Sequence, residues 1–378
     1  MKISFNITML MSLILATAIS ACDNEVSPEM ISDENLGNEV RINAVIEDDS
    51  WNELSRASYP TDIDREEFKA GDKIGVFGYY LPNGTSLSAD SEPDFMNNQE
   101  MTFNGSTWDY SPLKYWPNNN GDKLAFWAYY PYGMSNTTLQ YNIETGQPEL
   151  TFTKLPYYND ILVAEMVNSA RTTATSAVPL HFRHILAKVN LILALNDYVD
   201  ENIPDPTLKI KYVEYHNIYT SGKFKGFIDG VAQWEDCGDL MLWYDPAVYE
   251  LKPGDKVFVD QDYTFFIPFY VDHISFVPLI VPGEGGTVNN QYYDDNGLGT
   301  YTEENFTRVK DDDDTTPAPD AFDFYLSKRG FGENGVYVAP GTETTITINL
   351  GLYGVDNVEV NQRPIAEWAS TSHTDVYY

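Results

Sequence analysis

Residues 178–195 read VPLHFRHILAKVNLILAL, and the placing of their apolar side chains decides the fold class. Val178, Leu180 and Phe182 stand on even positions, whereas Ile185, Ala187, Val189, Leu191, Leu193 and Leu195 stand on odd ones. Alternation with period two puts successive side chains on opposite faces of a strand, so the stretch reads as β-structure whose apolar face switches near Arg183-His184. A β-bulge, one extra residue inserted into a strand, produces such a slip. An amphipathic helix is the competing reading, because a short apolar run does not separate helix from strand by period alone.

The same period recurs on both sides of this stretch. In TTITINLGL (344–352), Ile346, Ile348, Leu350 and Leu352 face one way and Thr345, Thr347 and Asn349 the other. Val40, Ile42, Ala44 and Ile46 alternate with Arg41, Asn43, Val45 and Glu47. IGVFGYY (74–80) and LAFWAYY (124–130) read as further strands, as do 208–219, 263–269 and 274–281. Phe103-Asn104-Gly105 predicts a hairpin with a type I′ turn, and Asn118 to Gly121 a second turn. Residues 48–68 break the pattern and read as a loop or short helix carrying Arg56 and Arg65. The segment 283–320, rich in Gly, Asn and Asp, reads as a long surface loop.

The fold class expected from these patterns is all-β. The chain of 378 residues exceeds what one hydrophobic core usually holds. The polar segment NDYVDENIPDP (196–206) is where a boundary is expected, giving an N-terminal β-domain over 40–197 and a C-terminal one over 207–378.

Residues 1–21 carry Lys2, an apolar stretch from Ile7 to Ile19 and small residues before Cys22, the pattern of a secretory signal peptide cleaved between Ala21 and Cys22. The apolar stretch is shorter than the roughly 20 residues that cross a bilayer. Ile19-Ser20-Ala21-Cys22 resembles the lipobox of bacterial lipoproteins, which implies acylation of Cys22 and a polar tether over 22–39. Stable anchoring takes more than one acyl chain, which such a cysteine carries. Cys237 is the only other cysteine; with Cys22 acylated it has no intramolecular partner for a disulfide.

The net charge of −34 makes nucleic acid and anionic membrane surfaces poor partners. With 43% hydrophobic and 14% aromatic residues the chain is too apolar for acidic disorder. Catalytic patterns are missing: there is no HExxH, P-loop, GxSxG or EF-hand spacing. His181 and His184 face opposite sides of a strand and cannot share a metal. No cofactor and no enzymatic activity are expected. Asp311 to Asp314 read either as a solvated acidic loop or as oxygen ligands for calcium. Trp116, Phe126, Trp127, Tyr129, Tyr130 and Tyr132 read either as sandwich core or, if exposed, as a sugar-stacking platform on a monomeric surface lipoprotein.

Taken in order, the lipobox, a first strand, Arg56-Ala57, GDKIGVFGYY (71–80), FNGSTWDYSPLKYWP (103–117), DKLAFWAYYPY (122–132), DILVA (160–164), VPLHFRHILAKVNL (178–191) and the closing TTITINL (344–350) with Trp368 resemble the fimbrillin family of Bacteroidetes. The resemblance implies two transthyretin-like β-sandwich domains in tandem and export as an outer-membrane lipoprotein. It also implies cleavage by an arginine-specific protease after the first strand, between Arg56 and Ala57 with Arg65 as the fallback. The expected end product is an adhesive surface fimbrium assembled from other fimbrial subunits by strand exchange. The acidic segment 283–320 leans the expectation toward a tip or accessory subunit. The tail 358–378, VEVNQRPIAEWASTSHTDVYY, is the expected donor strand, with Val358, Val360, Ile365, Trp368 and Val376 as anchors.

Overall fold

In the computed structural model, residues 38–364 are described apart from 47–66, 89, 120, 156–159, 171–176, 198–202, 260–264, 289, 295–296 and 309–320. A first sheet has the order β1 (Ile42–Ile46), β9 (Val178–His184), β8 (Leu162–Ala170), β5 (Lys123–Tyr130), β2 (Lys73–Leu81), β3 (Met96–Phe103) and β4 (Trp108–Asp109). Its neighbours are antiparallel except β1 and β9, which run parallel. A second sheet runs β13 (Lys256–Val259), β10 (Ala187–Leu195), β21 (Thr342–Gly351), β22 (Gly354–Pro364), β17 (Gln291–Asp294) and β18 (Gly297–Thr300), with β14 (Phe265–Phe266) also on β10. A third runs β19 (Phe322–Tyr325), β16 (His273–Val281), β11 (Thr207–Ile228), β7 (Gln147–Phe152) and β6 (Thr137–Asn142), with β12 (Val231–Leu251) paired to β11. β15 (Phe269–Val271) and β20 (Val336–Val338) form a two-stranded ribbon. The longest described helix is the single turn α1 (Glu303–Thr307), so the chain is all-β.

The phase switch at 183–186 has a larger cause than a bulge. β9 ends at His184 in the first sheet, and β10 starts at Ala187 in the second. Val178, Leu180 and Phe182 enter one apolar cluster, while Ile185, Ala187, Val189, Leu191 and Leu193 enter another. The chain changes sheet, and its apolar side changes with it. The helical reading fails because both halves pair as strands.

Two cores result, and the first sheet is buried between them. Phe77, Tyr79, Ala125, Trp127 and Tyr129 point into the core shared with the other sheets, and Ile74, Val76, Leu124, Phe126 and Ala128 point into a second core, which holds 19 buried residues among those described. Burial on both faces explains the near-continuous apolar runs of β2 and β5, since neither face needs polar residues. Gly75 is part of the same packing: a Cβ there would stand 2.2 Å from Cε1 of Tyr129, whose hydroxyl donates to Asn98 Oδ1 at 2.9 Å. Trp116, Phe126, Trp127, Tyr129 and Tyr130 are all buried, which selects core over sugar platform. Tyr132 is partly buried against the shared core.

The third sheet joins the two halves of the chain. β6 and β7 come from the first 152 residues, yet β7 pairs with the distal part of β11 at Gly222 to Phe224. The proximal part of β11, Thr207 to Tyr215, pairs with β16. Likewise β10, within 40–197, lies between β13 and β21 in the second sheet. The described residues from Asn38 onward form one compact unit. The segment 283–320 contributes β17, β18 and α1. The hairpin turn at Asn104 differs from the type I′ expectation. Gly105 alone has positive φ, +100°, because Asn104 Oδ1 accepts from the backbone N–H groups of Ser106 and Thr107, both at 2.9 Å.

Candidate functional site

β1 is an edge strand that acts as a plug. Its alternation places Val40, Ile42 and Ala44 in the second core with Phe68, Trp108, Leu180 and Phe182, and leaves Arg41, Asn43 and Val45 exposed. Register with β9 runs from Ile42 opposite Val178 to Ile46 opposite Phe182. The segment leading into β1 is held by an antiparallel bridge between Glu39 and Tyr115: Val40 N–H donates to Lys114 O at 2.8 Å, and Trp116 N–H donates to Asn38 O at 2.9 Å. The Tyr110 hydroxyl donates to Val40 O at 2.7 Å, and burial pushes that phenol's pKa up. Beyond this point the outer edge of β1 opens on a cleft of ≈ 1300 Å³, walled opposite by Phe68, Phe103, Trp108, Tyr110 and Leu113. β1 is thus paired along one edge only, through β9, as an edge strand is.

The far end of the chain is a hairpin, β21–β22, with Val358 opposite Ile348 and Val360 opposite Ile346. Glu343, fully buried, accepts from Arg363 Nε at 2.7 Å and from Asn190, with Lys188 Nζ at 3.9 Å. That charge network ties the C-terminal end of β22 to β10. On its other side β22 meets β17 only at Gly354 opposite Tyr293. The residues expected to form the donor tail thus divide: Val358 and Val360 pair within their own sheet, whereas Ile365, Trp368 and Val376 lie outside the described residues.

The other residues singled out by sequence fall in different places. Ala21, Cys22, Arg56, Ala57, Arg65 and Asp311 to Asp314 lie outside the described residues. His181 is exposed, and the buried His184 meets the buried Asp160 through Nδ1. Cys237 is half-buried, and burial followed by the nearby Asp236 raises its thiol pKa, which disfavours the reactive thiolate. Sequence spacing missed a meeting of three distant residues, His216, His273 and Asp323, on adjacent strands. No signal in the sequence links positions that far apart.

Residues 55–241 match the family described as Fimbrillin-like. The fimbrium subunit Fim1C of Phocaeicola vulgatus is 25% identical over 146 residues, covering 34% of this chain and 38% of that protein. The match thus spans well under half the length of that curated relative. Among solved structures, a fimbrial protein from Bacteroides vulgatus is 15% identical, with 77% of this chain and 92% of that chain covered and a TM-score of 0.47. A protein provisionally assigned to cell adhesion, from Bacteroides uniformis, is 17% identical, with 87% and 99% covered and a TM-score of 0.40. The match over residues 55–241, which hold the strands from β2 to β11, assigns that part of the chain to the fimbrillin-like family.

Proposed function

We propose that this chain is a fimbrial subunit, exported as a lipoprotein acylated at Cys22 and assembled with other subunits at the cell surface after proteolytic removal of β1. The observation that carries the reading is the position of β1. It is an edge strand, it precedes Arg56 in the chain, and its loss would open a groove lined by Phe68, Trp108, Leu180 and Phe182. Cleavage between Arg56 and Ala57 by an arginine-specific protease would free residues 22–56 as one piece, taking the lipid anchor and the strand together. A strand from another subunit would then restore both the backbone pairing to β9 and the apolar contacts. Burying a valine or isoleucine side chain is worth on the order of 1.5–3 kcal/mol, so a donor with several such anchors would hold subunits together. The acidic segment 283–320 favours a tip or accessory position over a minimal stalk subunit.

The test is to treat the purified chain with an arginine-specific protease and follow it on unboiled gels and by N-terminal sequencing. The expected result is a ladder of polymers whose subunits begin at Ala57. Polymers that begin at Cys22, or a cleaved chain that stays monomeric alone and with partner subunits, would overturn it.

A further inference from the structure

The third sheet carries a polar patch on the face opposite its core. Register places Ser275 opposite both Glu214 and Asp323, and His273 opposite Tyr325. The intervening row, Tyr215, Ile274 and Phe324, is buried in the shared core, so the residues on either side of it along each strand point the other way. Two rows result: Glu214, Ser275 and Asp323 in one, and His216, His273 and Tyr325 in the next. The rings of the second row stack, with centroids 3.6 Å apart for His216–His273 and 4.5 Å for His273–Tyr325.

Each imidazole reaches diagonally to the oxygen row. His216 Nε2 lies 2.9 Å from Ser275 Oγ, which in turn donates to Glu214 Oε2 at 2.8 Å; His216 Nε2 is itself 3.7 Å from that carboxylate. His273 Nε2 lies 2.8 Å from Asp323 Oδ1. Glu214 and Ser275 are fully buried, while His273 and Asp323 are part-exposed, so one side of the cluster is dry and the other has an entry path from solvent. Ligand atoms of His216, His273 and Asp323 all lie within 4.8 Å of one another, the one such grouping of three or more metal-binding side chains among the described residues.

We propose that His216, His273 and Asp323 form a binding site for a divalent transition-metal ion of the zinc class. The donor set decides the class of ion. Two imidazoles and a carboxylate suit zinc and its neighbours, whereas calcium and magnesium take oxygen ligands almost exclusively. The stack must open for binding, because an ion cannot lie in two ring planes only 19° apart. Rotation of the part-exposed His273 about its Cβ–Cγ bond achieves this, and the ion takes the place of the proton on each Nε2. The consequence is a staple across β11, β16 and β19 that holds the four-residue edge strand β19 in the sheet.

The experiment uses the full-length chain, stripped with a chelator and then dialysed against zinc, with bound metal counted by mass spectrometry and thermal unfolding recorded with zinc and with calcium. The expected result is one zinc per chain and a melting temperature that rises with zinc and not with calcium. His273→Ala and the near-isosteric Asp323→Asn, the latter guarding against a variant that fails to fold, should each abolish both effects. His181→Ala, at an exposed position on another sheet, should bind as the parent does. Absence of zinc uptake, or uptake that survives both His273→Ala and Asp323→Asn, overturns the proposal, as does an equal response to calcium.

Discussion

Glu149 on β7 shows how a buried charge is made tolerable at the seam between the two halves of the chain. Its carboxylate accepts from Lys225 at 2.5 Å, Asn142 at 2.6 Å and Gln140 at 2.9 Å, with Lys223 at 3.7 Å. Burial alone would raise its pKa; the hydrogen bonds from Lys225, Asn142 and Gln140 and the charge of Lys223 together outweigh it and hold the group below the ordinary 4.5. A folded pKa below the unfolded one means that the group stabilises the fold above about pH 4.5, and that this contribution is lost as pH falls through the folded value. Glu149→Gln should therefore cost on the order of 1–3 kcal/mol at neutral pH, by urea titration, and the gap from the parent should narrow as pH drops below 4.5. A gap that stays constant from pH 7 to pH 3 would show that the carboxylate's charge contributes nothing.

At the scale of the element, β1 is the strand whose alternation is a structural commitment, because the two faces meet different surroundings. Ile42 is 6% exposed and Val45 38% exposed. Ile42→Ala should destabilise the uncleaved chain by about 2–5 kcal/mol, toward the low end for an edge strand, and should speed protease cutting in 47–66. Val45→Ala should stay within about 0.5 kcal/mol of the parent. Equal effects at both positions would mean that β1 does not plug the second core. This strand was legible in the sequence because one of its faces is buried and the other wet. β2, β5 and β21 were legible for the same kind of reason, each being a run long enough to show its own period or its continuous burial. What was not legible is which sheet a strand joins. The slip at 183–186 records a change of sheet, but a bulge within one strand leaves the same trace in the residues. β11 and β12, at 22 and 21 residues, exceed the expected strands because positive-φ residues such as Tyr212, Asn217 and Asp236 bend them without ending their pairing. The His216, His273 and Asp323 cluster was invisible because three strands far apart in sequence must pair before it exists.

For the whole molecule, the question is which part of the C-terminal segment is free to leave. Stopping the chain after Leu352 would remove β22, strip Val358 and Val360 from Ile348 and Ile346, and take Arg363 from the buried Glu343. Breaking a buried pair by removing one partner costs about 3–5 kcal/mol, so such a chain would lose stability as well as any donor. Stopping after Pro364 spares that sheet and removes Ile365, Trp368 and Val376. The residues 365–378 span about 46 Å when extended, against about 23 Å for the stretch Val40 to Ile46 that a donor would replace. The tail beyond β22 is therefore long enough to fill the groove left by β1 while its own sheet stays intact. The chain ending at Pro364 should keep the parent's melting temperature, still be cut at Arg56 and still accept a strand from an intact subunit. It should fail to extend a ladder when it is the only subunit present. The chain ending at Leu352 should melt earlier whether or not it is cut. If the Pro364 truncation polymerises by itself as well as the intact chain does, residues 365–378 are not the donor, and the exchange must run through another strand.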